Sequence, residues 1–294
     1  MILTLTNKDG QTLDLLNNDS YFKLSACEAL HGVDTDISTV DIPYQDGALI
    51  ENVKALPRGI SLTFDLIPDI RNSIDFFTNV VKSKQYVTLT EIENGREITI
   101  KGIATIPPYS RMLGLCKIQL DIYCGQPYWE DLNTVINAIS NYIDLLFFPV
   151  AGQYFTPSGR PFGEVDTSLE KTFVNNGDVS IGINIKITAL GEVQNPRLSC
   201  STGAQNGWYM QLGSSNKPLT LQQNDLIEIN TVTGNKYITL NGLSTYNGEP
   251  LLSYLVFNGT NWLQLETGAN TFNVTTTSGS SEVYFTISYK RRYE

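Results

Sequence analysis

Lys117-Ile118-Gln119-Leu120-Asp121-Ile122-Tyr123-Cys124 sorts its side chains alternately, with Ile118, Leu120, Ile122 and Cys124 apolar and Lys117, Gln119, Asp121 and Tyr123 able to face water. A period of two is the strand period, and one apolar face against one wet face is the mark of a half-buried strand in an antiparallel sheet. The same alternation returns in Ile181, Ile183, Ile185 and Ile187, and in Val283, Phe285, Ile287 and Tyr289. Upstream, Tyr86 to Glu93 and Arg96 to Ile103 flank Asn94-Gly95. That dipeptide tolerates the positive φ angles of a type I′ turn, so a hairpin is predicted there. Asn176-Gly177, Thr233-Gly234-Asn235 and Asn241-Gly242 mark further turns at spacings that suit a sandwich or barrel.

Helix is scarce. The one clear case is Asp69 to Lys84, where Ile70, Ile74, Phe77 and Val81 form a single stripe that should pack on a sheet. Asp69 is expected to cap its start, and Lys82 and Lys84 suit the negative end of its dipole. Leu132 to Val150 is apolar and reads as partly helical, running into a looser Gly-, Pro- and Ser-rich stretch that ends at Gly163. The 294 residues exceed the roughly 100 to 200 of a single domain. Two β domains are therefore expected, 1–132 and 166–294, with 133–165 as a linker or arm. The fold class is mainly β: an amino-terminal sandwich or barrel-like domain with one helix, then a carboxy-terminal β-sandwich.

Charged residues make up 17% of the chain against an average near 25%, and the net charge is −10. Binding nucleic acid through phosphates needs clustered Lys and Arg that displace counterions, so that class is excluded. The one basic run, Lys290-Arg291-Arg292, reads as a solvated end. The amino terminus lacks a basic n-region and turns polar within a few residues, so neither a signal peptide nor an anchor is expected, and synthesis in a cytoplasm is. The longest apolar stretch, Leu145 to Ala151, is far short of the roughly 20 residues that cross a bilayer. Membrane insertion is not expected. Cys27, Cys116, Cys124 and Cys200 are scattered and read as reduced and mostly buried. Cys116 and Cys124, eight positions apart in one strand, would lie roughly 26 Å apart and cannot pair.

With His31 as the only histidine, a Ser-His-Asp or Cys-His constellation would have to use it, and a histidine-rich metal site cannot be built. Its neighbours place it in a loop. No nucleophile elbow, P-loop or dinucleotide fingerprint occurs. Asp34, Asp36 and Asp41 lack the Gly and terminal Glu of an EF-hand and read as a solvated acidic loop. No catalytic, cofactor or metal residues are assigned. Trp208, Tyr209 and Trp262 are candidate carbohydrate contacts, because exposed aromatic faces stack on sugars; packing between two sheets accounts for a Trp equally well.

Particular residues carry a family likeness. Asn176-Gly177-Asp178 with its isoleucine strand, then Gly191, Asn195-Pro196-Arg197-Leu198 and Gly203, resemble the opening of the carboxy-terminal domain of siphophage distal tail proteins. Asp225 to Ile229, the turn at Gly234, Asn241-Gly242 and Leu265 to Asn270 resemble the rest of it. Arg58 to Leu62 and Gln126-Pro127-Tyr128-Trp129 resemble the amino-terminal domain of that family. Each piece also has a physical reading: Asn-Pro stops helix after a strand, glycines permit tight turns, and alternating isoleucines fill a core between sheets. The segment from Leu132 to Gly163 departs from the family pattern. The resemblance implies a non-enzymatic structural subunit of the virion tail tip or baseplate. Its first domain would form a homo-oligomeric, hexameric ring and its second a galectin-like sandwich. The implied partners are the tail tube protein, a tail-associated hub protein and a receptor-binding protein. A carbohydrate-binding module contacting the host surface is the alternative.

Overall fold

The computed structural model describes residues 1–16, 21–44, 46–67, 70–107, 111–112, 115–139, 142–144, 163–165, 169–242, 250–258 and 262–294. The chain separates into two compact units, Met1–Asn133 with Arg292–Glu294, and Thr134–Arg291.

The first unit is built on a curled ten-stranded sheet. Its main path runs Thr12–Asp14, Ile2–Asn7, Tyr86–Glu93, Arg96–Thr105, Leu115–Cys124, Arg58–Leu66, Phe22–Glu28. Leu115–Cys124 behaves as its alternation requires: Cys116, Ile118, Leu120, Ile122 and Cys124 are buried. The Asn94-Gly95 hairpin is present, with φ of 51° and 80° at the two turn residues, and its second strand runs on to Thr105. Near that end the backbone comes so close to Leu115–Cys124 that a Cβ on Gly102 would lie 2.6 Å from Ile122 Cγ2 and 2.8 Å from the Tyr123 carbonyl oxygen. A glycine inside a strand marks such an approach.

The helix spans Ile70–Val80 and lays Ile74, Phe77 and Val80 on the core, with Val81 buried just beyond it. Phe77 meets Phe64 at 5.1 Å and Phe22 at 6.1 Å between ring centroids. Lys82 and Lys84, expected in its last turn, lie beyond it instead. The chain leaves the helix because Lys84 turns to φ 69° and donates its N–H to the Ala104 carbonyl, which starts the next strand. Asp69, the expected cap, lies outside the described residues. The basic end is not a loose tail. Arg292–Tyr293 is a strand on Trp129–Asp131, and Arg292 Nε and Nη2 each lie 2.8 Å from Glu130 Oε1.

The second unit is a sandwich of two five-stranded antiparallel sheets. One runs Val135–Ile139, Val283–Tyr289, Asn184–Ala189, Leu226–Asn230, Tyr237–Asn241. The other runs Glu170–Asn175, Gly268–Thr275, Arg197–Cys200, Tyr209–Leu212, Leu255–Asn258. Their inward residues meet in one core that includes Ile185, Ile187, Ile227, Phe285 and Ile287 from the first and Phe173, Leu198, Met210 and Phe272 from the second. All four alternating isoleucines are buried, but they do not form one strand. Ile181–Gly182 pairs with Gln264–Leu265 in a small two-stranded sheet, and the chain then enters the first five-stranded sheet as Asn184–Ala189. The break falls at Ile183, whose N–H donates to Thr231 Oγ1 at 2.8 Å, while a Cβ on Gly182 would come within 2.6 Å of the Val232 nitrogen.

Leu132 to Val150 contains no helix among its described residues. Val135–Ile139 is an edge strand on Val283–Tyr289, and Tyr142–Asp144 pairs with Gly163–Val165. β-branched Val135, Ile136 and Ile139 fit a pleated edge better than a helix face. Residues 145–162 lie outside the described residues, and with them most of the loose stretch ending at Gly163.

Candidate functional site

Three places in the molecule bear on function, and the most exposed is a hairpin of the first unit. Among the described residues, Thr35–Asp41 and Ala48–Ala55 pair only with each other and form a two-stranded sheet of their own. Ile37 stands opposite Val53 and Val40 opposite Leu49, with a register shift between Ser38 and Thr39. Ile37, Leu49, Ile50 and Val53 are between 52% and 60% exposed. The pairing places Ile37, Val53 and Ile50 on one face and Val40 and Leu49 on the other. Asp36 and Asp41 belong to this hairpin and Asp34 immediately precedes it, so the expected acidic loop is a strand. The five exposed aliphatics went unread in the sequence because the register shift breaks their period. The available signal was their density around Pro43 and Gly47.

The second place surrounds the single histidine. The Leu30 carbonyl accepts from Trp129 Nε1 at 2.8 Å and from Arg58 Nη1 at 2.7 Å. His31 Nε2 lies 3.2 Å from Glu91 Oε2, an ion-pair distance without hydrogen-bond geometry, and its ring is 6.0 Å from that of Trp129. Burial lowers the pKa of Arg58, offset by Cys124, Glu294 and Asp34. Burial also pushes the Cys124 thiol up to about 11 against the pull of Arg58. The Cys27 thiol is pushed up by burial first, then by Glu91 and Glu28. A nucleophilic thiol needs the opposite shift. All four cysteines are free. Among the described residues no group of three His, Cys, Asp or Glu could hold a metal ion.

The third place holds the aromatics picked from the sequence, which the structure does not gather into one platform. Trp208 and Trp262 are half-buried and pack against the core of the second unit. Tyr209 is next to Trp208 in the chain but opens the strand Tyr209–Leu212, where Met210 and Leu212 point inward; Tyr209 therefore looks outward. The Arg197 guanidinium lies over its ring, 3.7 Å from the centroid. Lys236 Nζ stands 5.7 Å from the Trp262 ring.

Residues 176–293 match the model of the siphovirus-type tail component, C-terminal domain. Over those residues the chain is similar to that domain. The tail-component domain so defined includes Trp208, Tyr209 and Trp262 and most of the second unit. Among solved structures, the Dit protein of phage SPP1, a hub of the adsorption apparatus in phages infecting Gram-positive bacteria, is similar over 100% of both chains. The identity is 14% and the TM-score 0.64, a likeness of fold. The phage P2 baseplate in its activated conformation, with Ca and with Sr, gives two further matches at 13% identity. Each covers 98% of this chain and 97% of the other, with a TM-score of 0.44. No curated protein sequence matches the chain.

Proposed function

We propose that this chain is a distal tail subunit whose first unit closes a homo-oligomeric ring, hexameric in the reading favoured here, at the end of a phage tail tube. The observation that carries the ring is the hairpin Thr35–Asp41 and Ala48–Ala55, with exposed aliphatics on both faces and, among the described residues, no strand partner but itself. A two-stranded hairpin alone in water is marginal, and an exposed apolar strand invites uncontrolled pairing. Cyclic symmetry removes both problems, because each copy covers the hairpin of the next and the last contact closes on the first. The tail-component domain supports the setting.

On this reading the second unit is a galectin-like sandwich presented outward, and the partners are the tail tube protein, the tail-associated hub protein and a receptor-binding protein. The place of action is the virion tail, after synthesis in the bacterial host. The role is structural and needs no catalytic residue, cofactor or metal. A net charge of −10 suits a subunit around a DNA passage, since like charge keeps phosphates from sticking.

Light scattering over a range of concentrations tests the ring. The unaltered chain is expected at a mass of about six copies. The double variant Ile50→Asp with Val53→Asp is expected to fall to a folded monomer. A chain that is monomeric throughout, including when mixed with the hub protein, or a double variant that keeps the full mass, would remove the proposal.

A further inference from the structure

The outward face of one sheet of the sandwich carries a cation that has no acceptor among the described residues. Arg197 opens the strand Arg197–Cys200, opposite Gln211 on one side and Thr275 on the other. Ser199, two residues on, stands between Tyr209 and Asn273. Leu198 and Cys200 are buried, so Arg197, Ser199, Tyr209, Gln211, Asn273 and Thr275 share the face turned away from the core. The Arg197 guanidinium is stacked 3.7 Å over Tyr209, its Nε is buried without an acceptor, and no nitrogen of the group donates a hydrogen bond among the described residues. Ion pairs among those residues include Lys117 with Asp65 and Arg292 with Glu130. The contrast with Arg292 is direct: that guanidinium spends two nitrogens on one carboxylate oxygen.

Arg197 is also held in place from behind. Asn195 sits buried in the left-handed region at φ 50°. Its Oδ1 accepts from the Leu219 N–H at 2.9 Å and its Nδ2 donates to Thr277 Oγ1 at 3.1 Å. The Pro196 carbonyl accepts from Leu212 N–H at 2.9 Å. The backbone entering Arg197 is thus fixed on both sides, and stacking on Tyr209 fixes the plane of the guanidinium. A planar fork of donors, preoriented and half desolvated, is built for an oxyanion.

We infer that Arg197, stacked on Tyr209, is the anion-reading subsite for an acidic glycan, a saccharide bearing a carboxylate or a phosphate group. The nearest groups on that face, the Asn273 amide, the Thr275 hydroxyl and the Gln211 carbonyl oxygen, are neutral and suit sugar hydroxyls, with the Glu170 carboxylate one strand further on, opposite Asn273. One isolated cation on a chain of net charge −10 does not attract polyanions by bulk field, so the acid group must be recognised locally. The subsite does not depend on the ring proposed above.

Calorimetric titration of the full chain tests it, with three probes: a galacturonate oligosaccharide, a glycerol phosphate oligomer, and a neutral galactose oligosaccharide of matched length. At least one acidic probe is expected to bind about tenfold or more tightly than the neutral one. The carboxylate and phosphate arms show which acid group fits. Arg197→Gln is expected to abolish that preference, and Arg197→Lys, which keeps the charge and loses the fork, to remove most of it. Thermal unfolding of each variant checks the fold, and Lys236→Gln, which removes another aromatic-stacked cation, should leave binding unchanged. Absence of binding to both acidic probes overturns the subsite, as does equal affinity for the neutral one or undiminished binding by folded Arg197→Gln. The scattering mass of Arg197→Gln stays that of the unaltered chain in every case, so failure here is separable from failure of the ring.

Discussion

Two hairpins of the first unit have nearly the same length and opposite surroundings. Tyr86–Glu93 with Arg96–Thr105 buries Val87, Leu89, Ile98 and Ile100 in the core and turns its polar residues out. Thr35–Asp41 with Ala48–Ala55 is exposed along both strands but for its last residue. The first is held by the core of its unit, and the second leaves its side chains in solvent. A hairpin in water is not stabilised by its own ladder, so the difference lies in what each side chain touches.

The largest expected effect lies in the first hairpin. Leu89→Ala removes a fully buried side chain and leaves a cavity in the core of the first unit, which should cost about 2 to 5 kcal/mol of unfolding free energy in urea titration. A loss below about 0.5 kcal/mol would mean that this hairpin is as peripheral as the other.

Next comes the turn that sets its register. Gly95 stands at φ 80° with nothing near where a Cβ would go, so Gly95→Ala meets only backbone strain. The expected cost is about 1 to 2 kcal/mol, read as a lower urea midpoint with an unchanged slope. A changed slope would instead point to a shifted strand pairing.

Cys124 supplies a pH test of the same core. Its folded pKa of about 11 lies above the ordinary thiol value of 9.0, so below pH 9 the thiol is neutral in both states and costs nothing. As pH rises from there the unfolded chain loses its proton first, and stability falls between pH 9 and about 11. Cys124→Ser, measured across that window, should flatten the fall. Unfolding midpoints that descend equally in both chains would place the loss elsewhere.

The sequence made the first hairpin legible because three signals agreed: alternation, an Asn-Gly turn and flanks of matching length. The helix stripe was legible for the same reason, but its end was not, since it is set by the Lys84 to Ala104 hydrogen bond, a contact across the chain. Leu132 to Val150 reads as partly helical, and its described part Val135–Ile139 is a strand, because a short apolar run carries no period of its own and takes its form from the partner, here Val283–Tyr289. The exposed hairpin was hidden by its register shift. Of the candidate site, Tyr209 was picked out as an aromatic, whereas Arg197 was only a letter in a family pattern. That no carboxylate among the described residues pairs with it is a property of the folded sheet that no spacing reveals.

The smallest expected effect on stability sharpens the comparison most. Ile50 is 60% exposed and Val53 56%, so truncating both to Ala removes almost no burial from a single chain. At concentrations where the protein is monomeric, the double variant should unfold within about 0.5 kcal/mol of the unaltered chain. Raised to concentrations where the unaltered chain assembles, it should lag in mass, because the lost apolar area then belongs to an interface and its effect appears as mass action. A large loss in the dilute monomer would show that the hairpin folds back on its own unit in solution, and the contrast between the two hairpins would be gone.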